Sequence, residues 1–367
     1  MWRTIFQVVG LIAAVLSLIP LFAADFWFIR VFDYLHMYFT GFTLIAIILY
    51  FFTFKPKWVK DYVYVSILLG CFIFQIYRAV DYFPFYPQEV DPAKSQTATQ
   101  LTFYNVNVLQ KNTESVKLFE ELRDLQPDVI VFMETDQIWA DKISQEIKSD
   151  YPYRVEHPLD NTYGILLYSK LELVDPQVEF LVDQEIPSIT TQLRTDKGEL
   201  IQLYAIHPTP PMPQHNPKST DRDKELIKTA IKAYNSELPV IVMGDFNDVP
   251  WSDSTQLMKI IGKLLDVRLG RGAFNTFNAK NMLMRWPLDH ILSSPEFRYV
   301  DADTGANFGS DHFPVWVTLS LEPENKLDQE AQEPTKNQWK QAKDQLNDQE
   351  LESFTKIPAS LQNLMSQ

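Results

Sequence analysis

A single cysteine, Cys71, stands in 367 residues, and it lies inside an apolar run. The chain therefore builds no intramolecular disulfide and no cysteine-ligated metal cluster. Basic charge is scarce as well: 33 Lys and Arg face 47 Asp and Glu, a formal net charge of −14. The deficit is uneven, with a net +1 on residues 1–90, −4 on residues 321–367 and −11 on residues 91–320. A protein that grips long nucleic acid usually offers the phosphates a basic face, so long nucleic acid is disfavoured as a partner. No internal repeat is visible, which sets aside repeat architectures.

Long apolar runs are crowded into the first eighty residues. Ile5 to Ala24 and Tyr34 to Phe54 carry no Asp, Glu, Lys or Arg, and Tyr62 to Tyr77 lies between Lys60 and Arg78. About 20 uncharged apolar residues are enough to cross a bilayer, and the expected spans are residues 5–24, 34–54 and 62–78 within a membrane segment 1–82. Pro20, Phe22 and Phe26 make a poor cleavage site for a signal peptide. Lys55, Lys57 and Lys60 fill the loop between the second and third runs. The positive-inside rule puts that loop in the cytoplasm and everything after Tyr82 on the outer face of the cytoplasmic membrane. Residues 83–98, with Pro84, Pro87 and Pro92 and several aromatics, read as an interfacial linker.

From Gln100 onward strand-like and helix-like segments alternate. Strands are expected at Leu101–Val108, Val129–Met133, Tyr163–Tyr168, Glu179–Val182, Thr190–Thr195, Leu200–Ile206, Val240–Met243, His290–Leu292 and Val315–Leu321. Helices are expected at Thr113–Leu125, Asp221–Tyr234 and Ser254–Leu265. This mixture predicts an α/β domain over 99–321, sheets in the centre and helices outside. Residues 322–367 are rich in Gln, Glu, Asp and Lys and read as a polar tail, solvated or partly helical. An exposed helix is expected over Thr335–Phe354, since Trp339, Leu346 and Leu351 are too sparse for a core face, and a protein partner on the tail is the alternative use.

Six short segments carry chemistry. Phe103-Tyr104-Asn105-Val106-Asn107 puts two amides on one face of a strand; alone, such amides are ordinary turn formers. The buried run Val129–Met133 ends in Glu134, a hard oxygen donor of the kind Mg²⁺ takes. His207 ends another strand at the mouth of a proline-rich loop, where it can donate to a phosphate oxygen. Gly244-Asp245-Phe246-Asn247 turns the chain so that Asp245 and Asn247 point the same way. Asp289-His290 and Ser310-Asp311-His312 complete the set, a carboxylate with a distant histidine being a common way to hold an imidazole as acid or base. His157 and His215 are read as solvated, and His290 as structural.

The ordered set N…E…H…GDFN…DH…SDH resembles the endonuclease/exonuclease/phosphatase superfamily over residues 100–320, and the apolar runs ahead of it are similar to membrane-anchored bacterial members. The resemblance implies a four-layer α/β sandwich, two mixed sheets face to face with helices outside. It implies Mg²⁺, with Mn²⁺ as the alternative, held by Glu134 and an asparagine, for which the Tyr-Asn-Val phrase favours Asn105 with Asn107 as competitor, with Asp311 nearby. His207 would contact the scissile phosphate and Asn247 would hold it. Asp245 would orient or activate the attacking water. His312 would act as general acid and base, oriented by Asp289. The partner of His207 is left open, because the stretch that supplies a carboxylate in some members reads Asp160-Asn161-Thr162 here. Trp286, with Phe274, Phe277, Met282 and Met284, forms either an apolar contact for substrate or a packed loop.

These expectations converge on a membrane-anchored phosphodiester hydrolase acting outside the cytoplasmic membrane, with lipid-linked or small phosphodiesters as substrates. The rivals are an extracytoplasmic nuclease and a retired enzyme kept as a binding module. A zinc or dinuclear site lacks the extra His and Asp ligands it needs.

Overall fold

The computed structural model describes residues 1–22, 25–213 and 216–346. Its elements run α1 (Trp2–Leu18), α2 (Trp27–Tyr34), α3 (His36–Phe51), α4 (Val59–Ala79), β1 (Thr99–Asn107), α5 (Val116–Leu125), β2 (Val129–Met133), α6 (Gln137–Ile147), β3 (Tyr153–His157), β4 (Ile165–Ser169), β5 (Glu172–Glu179), β6 (Ser188–Arg194), β7 (Leu200–Ile206), α7 (Thr220–Tyr234), β8 (Val240–Asp245), α8 (Asp253–Ile261), β9 (Leu265–Asp266), β10 (Asp289–Ser293), β11 (Phe297–Thr304), β12 (Val315–Leu321) and α9 (Lys336–Asp344).

Strand alternation builds the layers. Ile241 and Met243 of β8 face the space between two sheets, while Val240 and Val242 face outward onto helices. The same parity on β2 sends Val129, Val131 and Met133 inward and Ile130 and Phe132 outward, onto Leu118, Phe119 and Leu122 of α5 and Trp139 and Ile143 of α6. Each strand thus has two apolar faces, which is why these runs read as continuously hydrophobic. The result is two six-stranded mixed sheets, ordered β11-β12-β1-β2-β4-β3 and β5-β6-β7-β8-β10-β9, stacked face to face with helices outside. One parallel pair stands in each, β1 with β2 and β7 with β8. Their C-terminal ends lie at the same edge of the sandwich, and that edge collects the polar segments. This is the expected four-layer α/β sandwich.

Some local expectations shift. The strand expected at Glu179–Val182 lies earlier, at Glu172–Glu179, where a register irregularity between Val174 and Gln177 and the lack of any fully buried residue blur the apolar signal. The described part of the tail helix is α9, capped by Thr335 in a reciprocal box with Gln338. Trp339 is buried, its ring 5.1 Å from that of Tyr234, and Leu346 is buried beside it in the α7–α8 cluster. These two are core residues rather than sparse surface ones, because one large ring covers the gap between helices that a full apolar stripe would otherwise fill. Leu351, Phe354 and the end of that expected helix lie outside the described residues, as do His215 and the last two residues of the first expected span.

Near the N-terminus, Trp2–Phe22 (21 residues) and Val59–Tyr82 (24 residues) are long and apolar enough to cross a membrane. The second expected run, Tyr34–Phe54, is α3, a 16-residue helix that passes the same test only together with α2 ahead of it, from which it is bent by 69°. Counting the pair as one span gives three, otherwise two. The linker is held to the domain: Val90 is buried in the inter-sheet core, Glu89 accepts from Lys259 at 2.9 Å, and the Glu322 carboxylate receives the amides of Lys94 and Ser95.

Away from the catalytic edge, Glu225 of α7 is buried, and its Oε1 has no hydrogen-bond partner among the described residues. Burial, opposed by Lys228 and reinforced by Asp183, pushes its carboxyl up from 4.5 to about 8. A carboxyl raised on folding stabilises fully below its unfolded value and loses that contribution as pH rises through the folded value. Glu225→Gln should therefore melt within about 1 °C of the parent at pH 4.5 and several degrees above it at pH 9. A constant difference between the two melting curves across that window would refute this.

Candidate functional site

Parity on β1 decides the first contacts. Phe103 belongs to the inter-sheet core, so Asn105 and Asn107, two and four residues on, also face the opposite sheet. Both are fully buried. The Asn105 amide donates to Asp289 Oδ1 at 2.9 Å, whereas the Asn107 amide donates to Glu134 Oε1 at 2.8 Å and to Asp245 Oδ2 at 3.2 Å. Of the two candidates, Asn107 is the one set against Glu134. Asn105 instead ties the first sheet to the acid of the second.

Glu134 (φ 58°) and Asn247 (φ 51°), at this edge, hold left-handed backbone. Asparagine tolerates that region readily and glutamate does not, so the surroundings fix Glu134 against its own preference. Gly244 has φ 148°, and a Cβ there would stand 1.9 Å from the Ile206 carbonyl. Only glycine lets β8 approach β7 closely enough for Asp245 and His207 to meet. The Asn247 amide N–H donates to Asp245 Oδ1 at 2.9 Å and its side chain to the Pro208 carbonyl at 3.0 Å.

Asp289 opens β10 directly opposite Asp245. His312 Nδ1 donates to Asp289 Oδ2 at 2.8 Å, and its Nε2 lies 3.7 Å from Asp245 Oδ2. His207 Nε2 is 3.8 Å from the same Asp245 oxygen, and the Tyr163 ring is 5.4 Å from the His207 ring. Burial alone would lower the His312 pKa, but Asp289 and Asp245 overcome it and raise it to about 10. Asp245 is pushed up by burial and by Asp289, against the pull of His312 and His207. Burial raises Glu134 to about 7, opposed by the Asn107 hydrogen bond and by His312 and reinforced by Asp311 and Asp245.

His290 points away from this cluster. It stacks on Phe246 with ring centroids 4.4 Å apart and an interplanar angle of 3°, lies 2.6 Å from Arg268, and touches the Asp248 carbonyl at 2.9 Å. Burial and Arg268 hold it well below the usual histidine range, which keeps it neutral and structural.

The donor set fits a hard divalent ion. Glu134 and Asp311 supply carboxylate oxygens, and Asp311 Oδ1 is buried with no hydrogen-bond partner among the described residues. Mg²⁺ takes one or two protein carboxylates and keeps its waters, so Glu134 with Asp311, steadied by Asn107, could hold it. Asp245, Asp289 and His312 also offer ligand atoms within 4.8 Å of one another. There, however, the imidazole is already committed to Asp289, and an ion pair explains the grouping without a metal.

Several participants carry no signal in the sequence. Tyr34 of α2 donates to the Asn247 carbonyl at 2.7 Å, and the fully buried Arg222 of α7 donates to the same oxygen at 3.0 Å. Thr276 Oγ1 receives the amides of Leu288 and Asp289 at 3.3 Å each, and Ser310 Oγ donates to the Asn107 carbonyl at 2.8 Å. Ser310 belongs to the Ser310-Asp311-His312 segment already read from the sequence, whereas only tertiary placement reveals Tyr34, Arg222 and Thr276. Trp286, expected at the substrate, stacks on Phe277 (5.9 Å), whose ring lies 5.0 Å from His312. Its indole nitrogen has no hydrogen-bond partner among the described residues. Tyr34→Phe removes one hydrogen bond from the Asn247 loop, and turnover by the full-length protein should fall about fivefold, the kinetic equivalent of about 1 kcal/mol. Equal turnover in variant and parent would mean that Arg222 alone sets the loop.

Residues 102–312 match the Endonuclease/Exonuclease/phosphatase family, and the chain belongs to it. D. rerio TDP2 complexed with a single-strand DNA product is similar in fold, with a TM-score of 0.51 and 18% identity, covering 60% of this chain and 99% of that one. A D. rerio TDP2 humanized by 14 mutations gives a TM-score of 0.50 and 19% identity, with the same two coverages. The endonuclease/exonuclease/phosphatase from Beutenbergia cavernae gives a TM-score of 0.50 and 17% identity, covering 61% of this chain and 72% of that one. At these identities the likeness is one of fold. No curated protein matches the sequence.

Proposed function

We propose that the chain is a membrane-anchored, Mg²⁺-dependent phosphodiester hydrolase whose catalytic domain lies outside the cytoplasmic membrane. The observation that carries this reading is the joint edge where Asn107, Glu134 and His312, the last just ahead of β12, come from one sheet and meet Asp245 and Asp289 of the other. Bound there, Mg²⁺ or Mn²⁺ would stabilise charge growing on the phosphoryl oxygens. Asp245 Oδ2, between the two histidines, accepts a hydrogen bond from the attacking water. His312 moves a proton at Nε2 while Asp289 holds its Nδ1–H. His207 donates to a non-bridging phosphate oxygen, and the Asn247 amide fixes the same phosphate. Trp286 and Phe277 form the adjoining apolar wall.

Lysines 55, 57 and 60 at the far end of α3 and α4 favour a cytoplasmic loop there, which leaves the domain outside. The net −11 of residues 91–320 favours small or lipid-linked phosphodiesters over long nucleic acid. The test is hydrolysis of bis-p-nitrophenyl phosphate by the full-length protein in detergent. Turnover with Mg²⁺, loss in EDTA and recovery with Mn²⁺ are expected. A folded protein inert with every divalent ion would overturn the reading.

A further inference from the structure

The ends of the apolar helices do not merely hold the domain; they meet the catalytic edge itself. Trp27 N donates to the Pro217 carbonyl at 2.8 Å, and Ser219 N to the Asp25 carbonyl at 2.7 Å. Trp251 Nε1 donates to the Asp33 carbonyl at 2.8 Å, and Arg78 pairs with Asp253 at 3.0 Å. Arg285 N donates to the Tyr38 hydroxyl at 2.8 Å. The loops after β7 and β8 and before β10, which carry His207, Asn247 and Trp286, therefore all dock on one end of the helical segment.

Tyr38 lies in the first turn of α3, and beyond it Ile45 and Ile48 leave apolar side chains uncovered. Three ring-to-ring steps lead from that turn to the catalytic imidazole: Tyr38 to Trp286 at 6.3 Å, Trp286 to Phe277 at 5.9 Å, and Phe277 to His312 at 5.0 Å. The 21 residues of α4 rise about 32 Å, close to the ~30 Å hydrocarbon thickness of a bilayer. If the helices span, His312 sits at the headgroup level, where a lipid carries its phosphate. Beside the same wall the chain exposes Met282 (88%) and Leu283 (83%), with Met284 next to them. This collar is continuous with the uncovered helix faces through the Tyr38–Arg285 hydrogen bond, and water is a poor solvent for it.

We infer that the site hydrolyses phosphodiester lipids of the bilayer that holds the protein, with Met282, Leu283 and Met284 immersed in that bilayer as a collar around the mouth. The inference rests on the hydrolase reading above and adds the substrate class. In the step, a water oxygen bonds to phosphorus and one ester P–O bond breaks. The leaving alkoxide takes up a proton and the water gives one up, so the products are a phosphomonoester and an alcohol. The lipid's phosphate meets His207 and Asn247, and its chains stay in the membrane beside Trp286.

The experiment uses the full-length protein in vesicles of a mixed phospholipid extract, with phosphomonoester release measured beside hydrolysis of bis-p-nitrophenyl phosphate in the same sample. Leu283→Glu should reduce lipid turnover at least tenfold and leave chromogen turnover within twofold. In a Cys71→Ala background, a bimane label at Leu283→Cys should be quenched by brominated lipids. Chromogen hydrolysis without lipid hydrolysis would overturn the inference and spare the hydrolase reading. An unquenched label would overturn the collar whatever the activity. A quenched label with neither substrate turned over would remove the hydrolase reading and the lipid assignment together.

Discussion

His312→Ala is expected to lower phosphodiester turnover by about 10²–10⁴-fold, the range for a lost general acid–base group, while the protein still folds. The imidazole is held on both sides, by Asp289 at 2.8 Å and by Asp245 at 3.7 Å. Asp289→Asn should produce a smaller loss, since the ring keeps a polar partner but no longer a charged one. The two residues act as a unit, so the double variant should be hardly worse than His312→Ala alone. Losses that multiply in the double variant would mean that Asp289 acts separately, for instance through its bond from Asn105 at 2.9 Å.

The second large effect is at Glu134. Glu134→Gln should reduce turnover by on the order of 10²–10³-fold, since a metal ion at such a site contributes several kcal/mol to transition-state stabilisation. Mn²⁺ affinity, measured by paramagnetic resonance on the full-length protein, should fall in parallel. In EDTA the same variant should be more stable than the parent, because it removes a half-buried carboxylate that desolvation, Asp311 and Asp245 push toward its neutral form. Lower activity with higher metal-free stability marks a residue kept for function against the preference of the fold. Undiminished Mn²⁺ affinity would move the metal from Glu134 to the Asp245–Asp289–His312 group.

Much of this architecture is legible from periodicity, and what escapes does so for identifiable reasons. The buried strands β2, β4, β7, β8, β10 and β12 are apolar runs bounded by turn residues. The edge strands are harder to see: β3 (Tyr153–His157) and most of β11 (Phe297–Thr304) are only partly covered and so show no clean apolar alternation. The helix α6 carries Trp139, Ala140, Ile143 and Ile147 at helical spacing behind the Asp136 cap, a signal present in the sequence that the expected elements leave out. The choice between Asn105 and Asn107 could not be made from their spacing. Residues two apart share a strand face; the register of β1 on β2, with Asn107 opposite Met133, sets Asn107 beside Glu134, and the opposite sheet presents Asp289 to Asn105.

The sequence by itself determined the kinds of group at the site and their order along the chain. Short acids, amides and imidazoles that end buried runs have few structural uses, and glycine before Asp245 opens a backbone conformation closed to other residues. It also determined the apolar helices, because hydropathy is a local property. Tertiary structure alone decided the pairings: Asp289 with His312, Asn107 with Glu134, and Tyr34 and Arg222 on one carbonyl of Asn247. These contacts join residues far apart in the chain, and no local pattern encodes the distance between two sheets or the end of a helix that a loop will meet.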